Sequence, residues 1–172
     1  MGDILSIVNK PMFRKWDGRW RAEYARPLGP GEVLPWDDYE EGHPHVDLYL
    51  ERGDRIFLVT VRPGTRLWLV AVYEDVEHRR NGWYAAHNNR VPIIDITSLR
   101  SKLRFNTGHG LRGPDDKLAN ALQTPRLLTE ADVAYLERAI ARSRVTLKAP
   151  RRPSTADEAR EGERLKYEVT RY

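Results

Sequence analysis

The residues best equipped for chemistry in this chain of 172 residues are aromatic rings set among cations and amides. Five residues are tryptophan. Trp16, Trp20, Trp36 and Trp83 stand in polar, turn-rich contexts beside Arg, Asp and Asn, and Tyr39 and Tyr84 share those contexts. A ring face stacks on a nucleobase, which contributes about 1–3 kcal/mol per base. Asp and Asn offer the acceptors and donors that read a base edge. Trp16, Trp36, Tyr39 and Trp83 are therefore the candidate stacking rings, with Asp37 and Asn89 as candidate edge readers. The competing use of each ring is to cover an end of the core, so the ligand-wall reading rests on the group and not on any one ring. Trp68 lies inside an apolar run and reads as core.

Charge is slight in sum and uneven in distribution. The net charge is +4, but Val76 to Arg112 holds 7 Lys/Arg against 2 acids, and Glu32 to Asp54 holds 8 acids against 1 Arg. A basic stretch suits a polyanion, because phosphate contacts drive affinity that does not depend on sequence. Arg79, Arg80, Arg100, Lys102, Arg104 and His109 are the candidate backbone contacts. The loop Asn106-Thr107-Gly108-His109-Gly110 adds main-chain N–H groups that suit an anion.

Signals for catalysis are weaker. His43 and His45, near Asp37, Asp38 and Asp47, offer metal-ligating atoms without a known ligand spacing. Asp115-Asp116-Lys117 resembles a nuclease carboxylate–lysine motif, but these residues open a predicted helix, where capping is the better account. Neither a Gly-rich phosphate loop with its Lys nor a Ser-centred nucleophile elbow occurs. The chain holds no Cys, which excludes disulfides and thiolate metal sites and fits a reducing cytoplasm. No cofactor is expected. Neither a membrane span nor a signal peptide is visible in the sequence.

Elements that would position these residues follow from the hydrophobic pattern. Ile4 to Val8 reads as a strand stopped by Lys10-Pro11. Arg55 to Val61 and Leu67 to Tyr73 are β-rich runs joined by a Pro63-Gly64 turn, which predicts a hairpin. Their near-continuous apolarity implies burial on both faces, as in a barrel or a covered sheet. Trp83 to Ala86 and Val91 to Ile96 read as further strands, the latter at an edge because of Pro92. A helical turn is predicted over Ser98 to Leu103, a short helix over Asp115 to Leu122, and a longer helix from Thr129 to about Arg144. Thr129 and Asp132 form a capping-box-like start to that last helix. The expected fold is α+β, a small β-barrel with flanking helices. The domain is expected over residues 1–148, with a linker and helical tail over 149–172.

Several of these stretches resemble a known superfamily. Leu50 to Val76 (LERGDRIFLVTVRPGTRLWLVAVYEDV) resembles the Gly-Asp turn and hairpin of PUA-like domains, a group that includes EVE, YTH, ASCH and SRA types. Asp95 to Leu99 (DITSL), Leu103 to Gly108 (LRFNTG) and Leu122 to Thr129 (LQTPRLLT) resemble the end of EVE-like or SRA-like domains in bacterial modification-dependent restriction enzymes. Residues 158–172 look like the segment that precedes an HNH nuclease domain. The resemblance implies a reader that flips a modified base, most simply 5-methylcytosine, out of double-stranded DNA into an aromatic pocket. Flipping costs a few kcal/mol, which stacking and edge contacts offset. It further implies a downstream HNH nuclease through which the protein could dimerise. Two other functions compete: a stand-alone metal-dependent nuclease using Asp47, Glu51 or the His43/His45 cluster, and an RNA-binding PUA-like domain.

Overall fold

Ile-Leu-Ser-Ile near the N-terminus forms the first strand, β1 (Ile4–Ile7), and all four residues are buried. A strand with no solvent-facing residue belongs in the middle of a sheet covered on both sides. In the computed structural model, which describes residues 2–35, 38–40, 49–79, 82–111 and 117–148 (residues 38–40 and 145–148 through their backbone alone), β1 takes that place. It pairs parallel with β3 (Ile56–Arg62) and antiparallel with the two-residue strand β8 (Arg126–Leu127). β3 forms the expected hairpin with β4 (Arg66–Tyr73), and β4 carries the edge strand β7 (Ile94–Asp95). Among the described residues the order β7-β4-β3-β1-β8 is an open sheet in an α+β fold, not closed into the barrel expected from sequence. The physical reason is that both edge strands are only two residues long and helices cover both faces, so burial is achieved without closure.

A bulge between Leu58 and Val59 opposite Leu69–Ala71 sets which side chains share a face. The alternation Leu67, Trp68, Leu69, Val70 is broken there, and Val70 and Ala71 both enter one cluster. One face of the sheet presents Ile4, Ile56, Leu58, Val70, Ala71 and Tyr73 to the first cluster. The other presents Leu5, Ile7, Phe57, Val59, Leu67, Leu69 and Val72 to the second.

Helix α1 (Lys10–Tyr24) covers the first face. The first strand does end before Lys10-Pro11, and a helix that the sequence did not announce begins there. Asn9 caps the helix by accepting from the Met12 N–H at 2.9 Å, and Pro11 occupies the first turn, where its missing N–H costs nothing. Phe13, Trp16 and Trp20 follow at helical spacing and form its inner stripe. A small sheet of β2 (Asp38–Glu40), β6 (Gly82–Tyr84) and β5 (Glu77–Arg79), in the order β2-β6-β5, contributes Trp83 to the same side. The second face is covered by the 3-10 turn Thr97–Leu99, the short helix α2 (Leu118–Ala121) and the long helix α3 (Glu130–Lys148). Arg55 fastens this layer to the sheet. Its guanidinium donates to Asp3 at 2.6 and 2.9 Å and to Glu137 of α3 at 2.8 Å.

Candidate nucleic-acid interface

The stretch Thr97–Leu111 contains three Lys/Arg, one His and no acid. Leu99, Leu103, Phe105 and Leu111 are buried in the second cluster. The residues between them, Lys102, Arg104, Asn106 and His109, are left exposed, and Arg100 is half-buried. Burying the apolar residues of this loop therefore displays its polar ones.

The loop is held at its start and at its centre. At its start, Asp95 accepts from the Thr97 N–H at 3.0 Å and from the Thr97 hydroxyl at 2.5 Å, while that hydroxyl accepts from the Leu67 N–H at 2.9 Å. At its centre, the Asp132 carboxylate, 1% exposed, accepts from the Arg104 N–H at 2.9 Å and the Phe105 N–H at 2.9 Å. The same carboxylate accepts from the N–H and hydroxyl of Thr129 at 3.0 and 2.8 Å. The predicted cap of α3 is therefore present and also anchors the loop. Phe105 adopts φ 56°, a left-handed backbone that is strained for a bulky residue. Its buried ring and the Asp132 contact hold it there.

Two open hollows line this loop. The larger, about 470 Å³, is lined by Thr97, Ser98, Ser101, Arg100, Arg104 and Gly110, with Leu111 at its base. Arg104 donates to the carbonyls of Ser101 and Leu103 at 2.7 and 3.0 Å. Gly110 crosses close to the same turn, and a Cβ there would sit 2.6 Å from the Leu103 oxygen. The smaller hollow, about 280 Å³, is lined by Tyr49, Asn106, Thr107, His109, Thr124 and Arg126, with Pro125 and Leu127. The Arg126 guanidinium lies 4.8 Å from the Phe105 ring centre and reaches the Thr107 hydroxyl at 3.4 Å and the His109 carbonyl at 3.5 Å.

Of the expected phosphate contacts, Arg100 and Arg104 thus line the larger hollow, Asn106 and His109 line the smaller one, and Lys102 is exposed on the same loop. Lys102 also places its ammonium 5.8 Å from the Tyr135 ring of α3. Arg79 stands apart on the small sheet, 4.0 Å from Glu77 and 5.4 Å from the Tyr84 ring. Arg80 lies outside the described residues.

The expected base pocket fares differently. Asn89 is buried at 4% exposure, and its amide is engaged by the backbone. Its Oδ1 accepts from Val72 and Val91 at 3.1 and 3.0 Å, and its Nδ2 donates to Leu34 and Val91 at 3.0 Å each. That corrects its expected role as an edge reader: Asn89 bonds three chain segments together. Trp83 is 7% exposed, with His78 edge-on at 5.4 Å, and Trp16 is half-buried against the first cluster. Both rings pack against the first cluster, away from the cationic loop. Tyr39 is described through its backbone, opposite Trp83, and Trp36 and Asp37 lie outside the described residues. Trp68 packs on the core as expected, with Phe13 edge-on at 6.4 Å.

Trp16 and Trp83 lie on the first face of the sheet, and the cationic loop lies on the second. The sheet separates the two halves of the site that the sequence suggested as one. Tyr49, Arg126 and Asp132 were not singled out as site residues by sequence reasoning. The one sequence signal for Arg126 is its place in the LQTPRLLT stretch.

The His43/His45 cluster lies outside the described residues, as does the 149–172 tail. Among the described residues no three His, Asp or Glu side chains are placed to hold a metal ion, and no helix is long and apolar enough to cross a membrane. No family model matches the chain, and neither does any curated protein or solved structure.

Proposed function

We propose that this domain binds nucleic acid through the Thr97–Leu111 loop, and that the ligand is duplex DNA carrying a modified base. The observation that carries the reading is the acid-free loop itself, whose Arg100 and Arg104 line one open hollow and whose Asn106 and His109 line a second. In this reading the domain is a PUA-like module. Arg100, Lys102 and Arg104 contact phosphates, with His109 and the Asn106 turn beside them. The smaller hollow receives the base: Tyr49 offers a ring to stack on, and Asn106, Thr107, His109 and Arg126 offer edge contacts. This reading puts the base beside the Asn106 turn and Arg126 rather than at Trp16, Trp83 and Asn89.

Three phosphate contacts imply a slope of about −3 in log affinity against log salt. Between 50 and 200 mM salt that amounts to a loss of roughly 40-fold. The test is fluorescence anisotropy with a panel of duplexes containing cytosine, 5-methylcytosine, 5-hydroxymethylcytosine or N6-methyladenine, with RNA as competitor. The triple variant R100A/K102A/R104A should bind all duplexes more weakly and flatten the salt slope to near zero. Unchanged affinity in that variant refutes the interface. Equal affinity for plain and modified duplexes refutes the modified-base assignment alone, and preference for the RNA competitor reassigns the ligand.

A further inference from the structure

Helix α1 carries a second set of cations on the opposite side of the sheet. Its inner stripe is Phe13, Trp16 and Trp20, so helical geometry turns Lys10, Arg14, Lys15, Gly18, Arg19 and Ala22 outward. All six are exposed. Gly18 and Ala22 form the centre of this outer face, with Lys10 and Arg14 on one flank and Lys15 and Arg19 on the other. Asp17 is turned towards the inner side, where it accepts from the Leu28 N–H at 2.7 Å and from Arg21 at 2.8 Å. Glu23 follows only in the last turn.

Gly18 strengthens the case. A mid-helix glycine costs about 1 kcal/mol relative to alanine. Among the described residues a Cβ at this position would meet nothing within 4 Å, so no packing contact among them requires a glycine there. What the missing side chain does provide is a low centre between two flanks of cations, into which a phosphate backbone can approach closely.

We infer that α1 is a second nucleic-acid-binding surface, so that one copy of the domain holds two duplex segments at once, on opposite faces of its sheet. The inference rests on the proposed function for the first surface. Independence of the two surfaces follows from their separation. The sheet and a helix about 10–12 Å in diameter lie between them, which exceeds the screening length of about 8 Å at physiological salt. A short duplex is stiff, with a persistence length of about 150 bp, so one segment does not wrap from one face to the other.

The test is a capture assay. A short biotinylated duplex on beads is loaded with the full chain, and a second, fluorescent duplex is added. The variants are R14E/K15E/R19E on α1, R14Q/K15Q/R19Q as its milder partner, and R100E/K102E/R104E on the loop. Circular dichroism melts confirm that each variant is folded. Wild type should capture the second duplex. Both α1 variants should bind a single duplex within about threefold of wild type yet lose capture by more than about tenfold.

Capture retained by the α1 variants overturns the inference. So does loss of single-duplex binding in them equal to that of the loop variant, which would make α1 part of one footprint. Single-duplex binding without any capture by wild type sinks the bridging claim and leaves the proposed function standing. Absence of all duplex binding sinks both. Binding of anionic vesicles by α1, with no capture of DNA, reassigns the surface to a lipid partner.

Discussion

Replacing Asp132 tests the link between the fold and the interface most sharply. Its carboxylate is 1% exposed and accepts four hydrogen bonds, from the N–H groups of Arg104, Phe105 and Thr129 and from the Thr129 hydroxyl. Asp132→Ala removes half of a helix cap, a loss of about 1 kcal/mol. It also leaves the buried Phe105 N–H and the half-buried Arg104 N–H without this acceptor, at about 1–3 kcal/mol each. The expected destabilisation is about 4 kcal/mol, or roughly 12 °C in melting temperature for a chain of this size. Asp132→Asn keeps the volume but turns an NH2 towards N–H donors, and should cost about 2–3 kcal/mol. Urea unfolding followed by tryptophan fluorescence measures both.

The sign of the effect on DNA binding separates two mechanisms. By charge alone, removing an acid beside a basic loop strengthens binding to a polyanion. If Asp132 acts by holding the loop in shape, binding at a temperature where the variant is folded should weaken, and the Arg104 and Phe105 amides should exchange faster. An Asp132→Asn variant within about 0.5 kcal/mol of wild type, or one that binds DNA more tightly, refutes this reasoning.

Three further outcomes follow from the same structure. Ala25 ends α1 at φ 54°, so Ala25→Gly removes a left-handed cost of about 1–2 kcal/mol, offset in part by a freer unfolded chain, for a net gain of about 0.5–1 kcal/mol; a lowered melting temperature contradicts it. Burial pushes the Asp17 carboxyl up, but the Leu28 N–H and Arg21 outweigh it and hold the carboxyl below its ordinary value of 3.8. A depressed carboxyl stabilises the fold above its unfolded value and loses that contribution as pH falls, so the stability gap between wild type and Asp17→Asn should shrink on acidification from roughly pH 5 to pH 3 in a series of urea melts. Gly110→Ala would place a Cβ 2.6 Å from the Leu103 oxygen and force the loop open, costing about 1–3 kcal/mol and weakening DNA binding in the same anisotropy assay.

The elements most legible in the sequence were those whose signal is local. The β3–β4 hairpin follows from two apolar runs around Pro63-Gly64, and the start of α3 follows from Thr129 and Asp132 three residues apart. The edge position of β7 follows from Pro92 beside a short apolar run. Helix α1 was missed because its polarity and Pro11 masked the spacing of Phe13, Trp16 and Trp20, and because rings beside arginines also suit a ligand wall. Asn89 was misread for a different reason. Its partners are backbone atoms of Leu34, Val72 and Val91, drawn from three segments, and no local pattern announces them.

The sequence by itself determined the α+β class, the central hairpin, the capped final helix and the concentration of cations between Val76 and Arg112. Only the tertiary structure decided which of these residues stand together. Alternation along a strand sends neighbours to opposite faces, and the bulge at Leu69–Ala71 resets that alternation partway along β4. Trp16 and Trp83 cover one side of the sheet, while the loop that carries Arg100, Lys102, Arg104, Asn106 and His109 buries its apolar residues on the other. Composition records how many rings and charges a chain carries, but the face each one meets is a long-range property of the sheet that divides them.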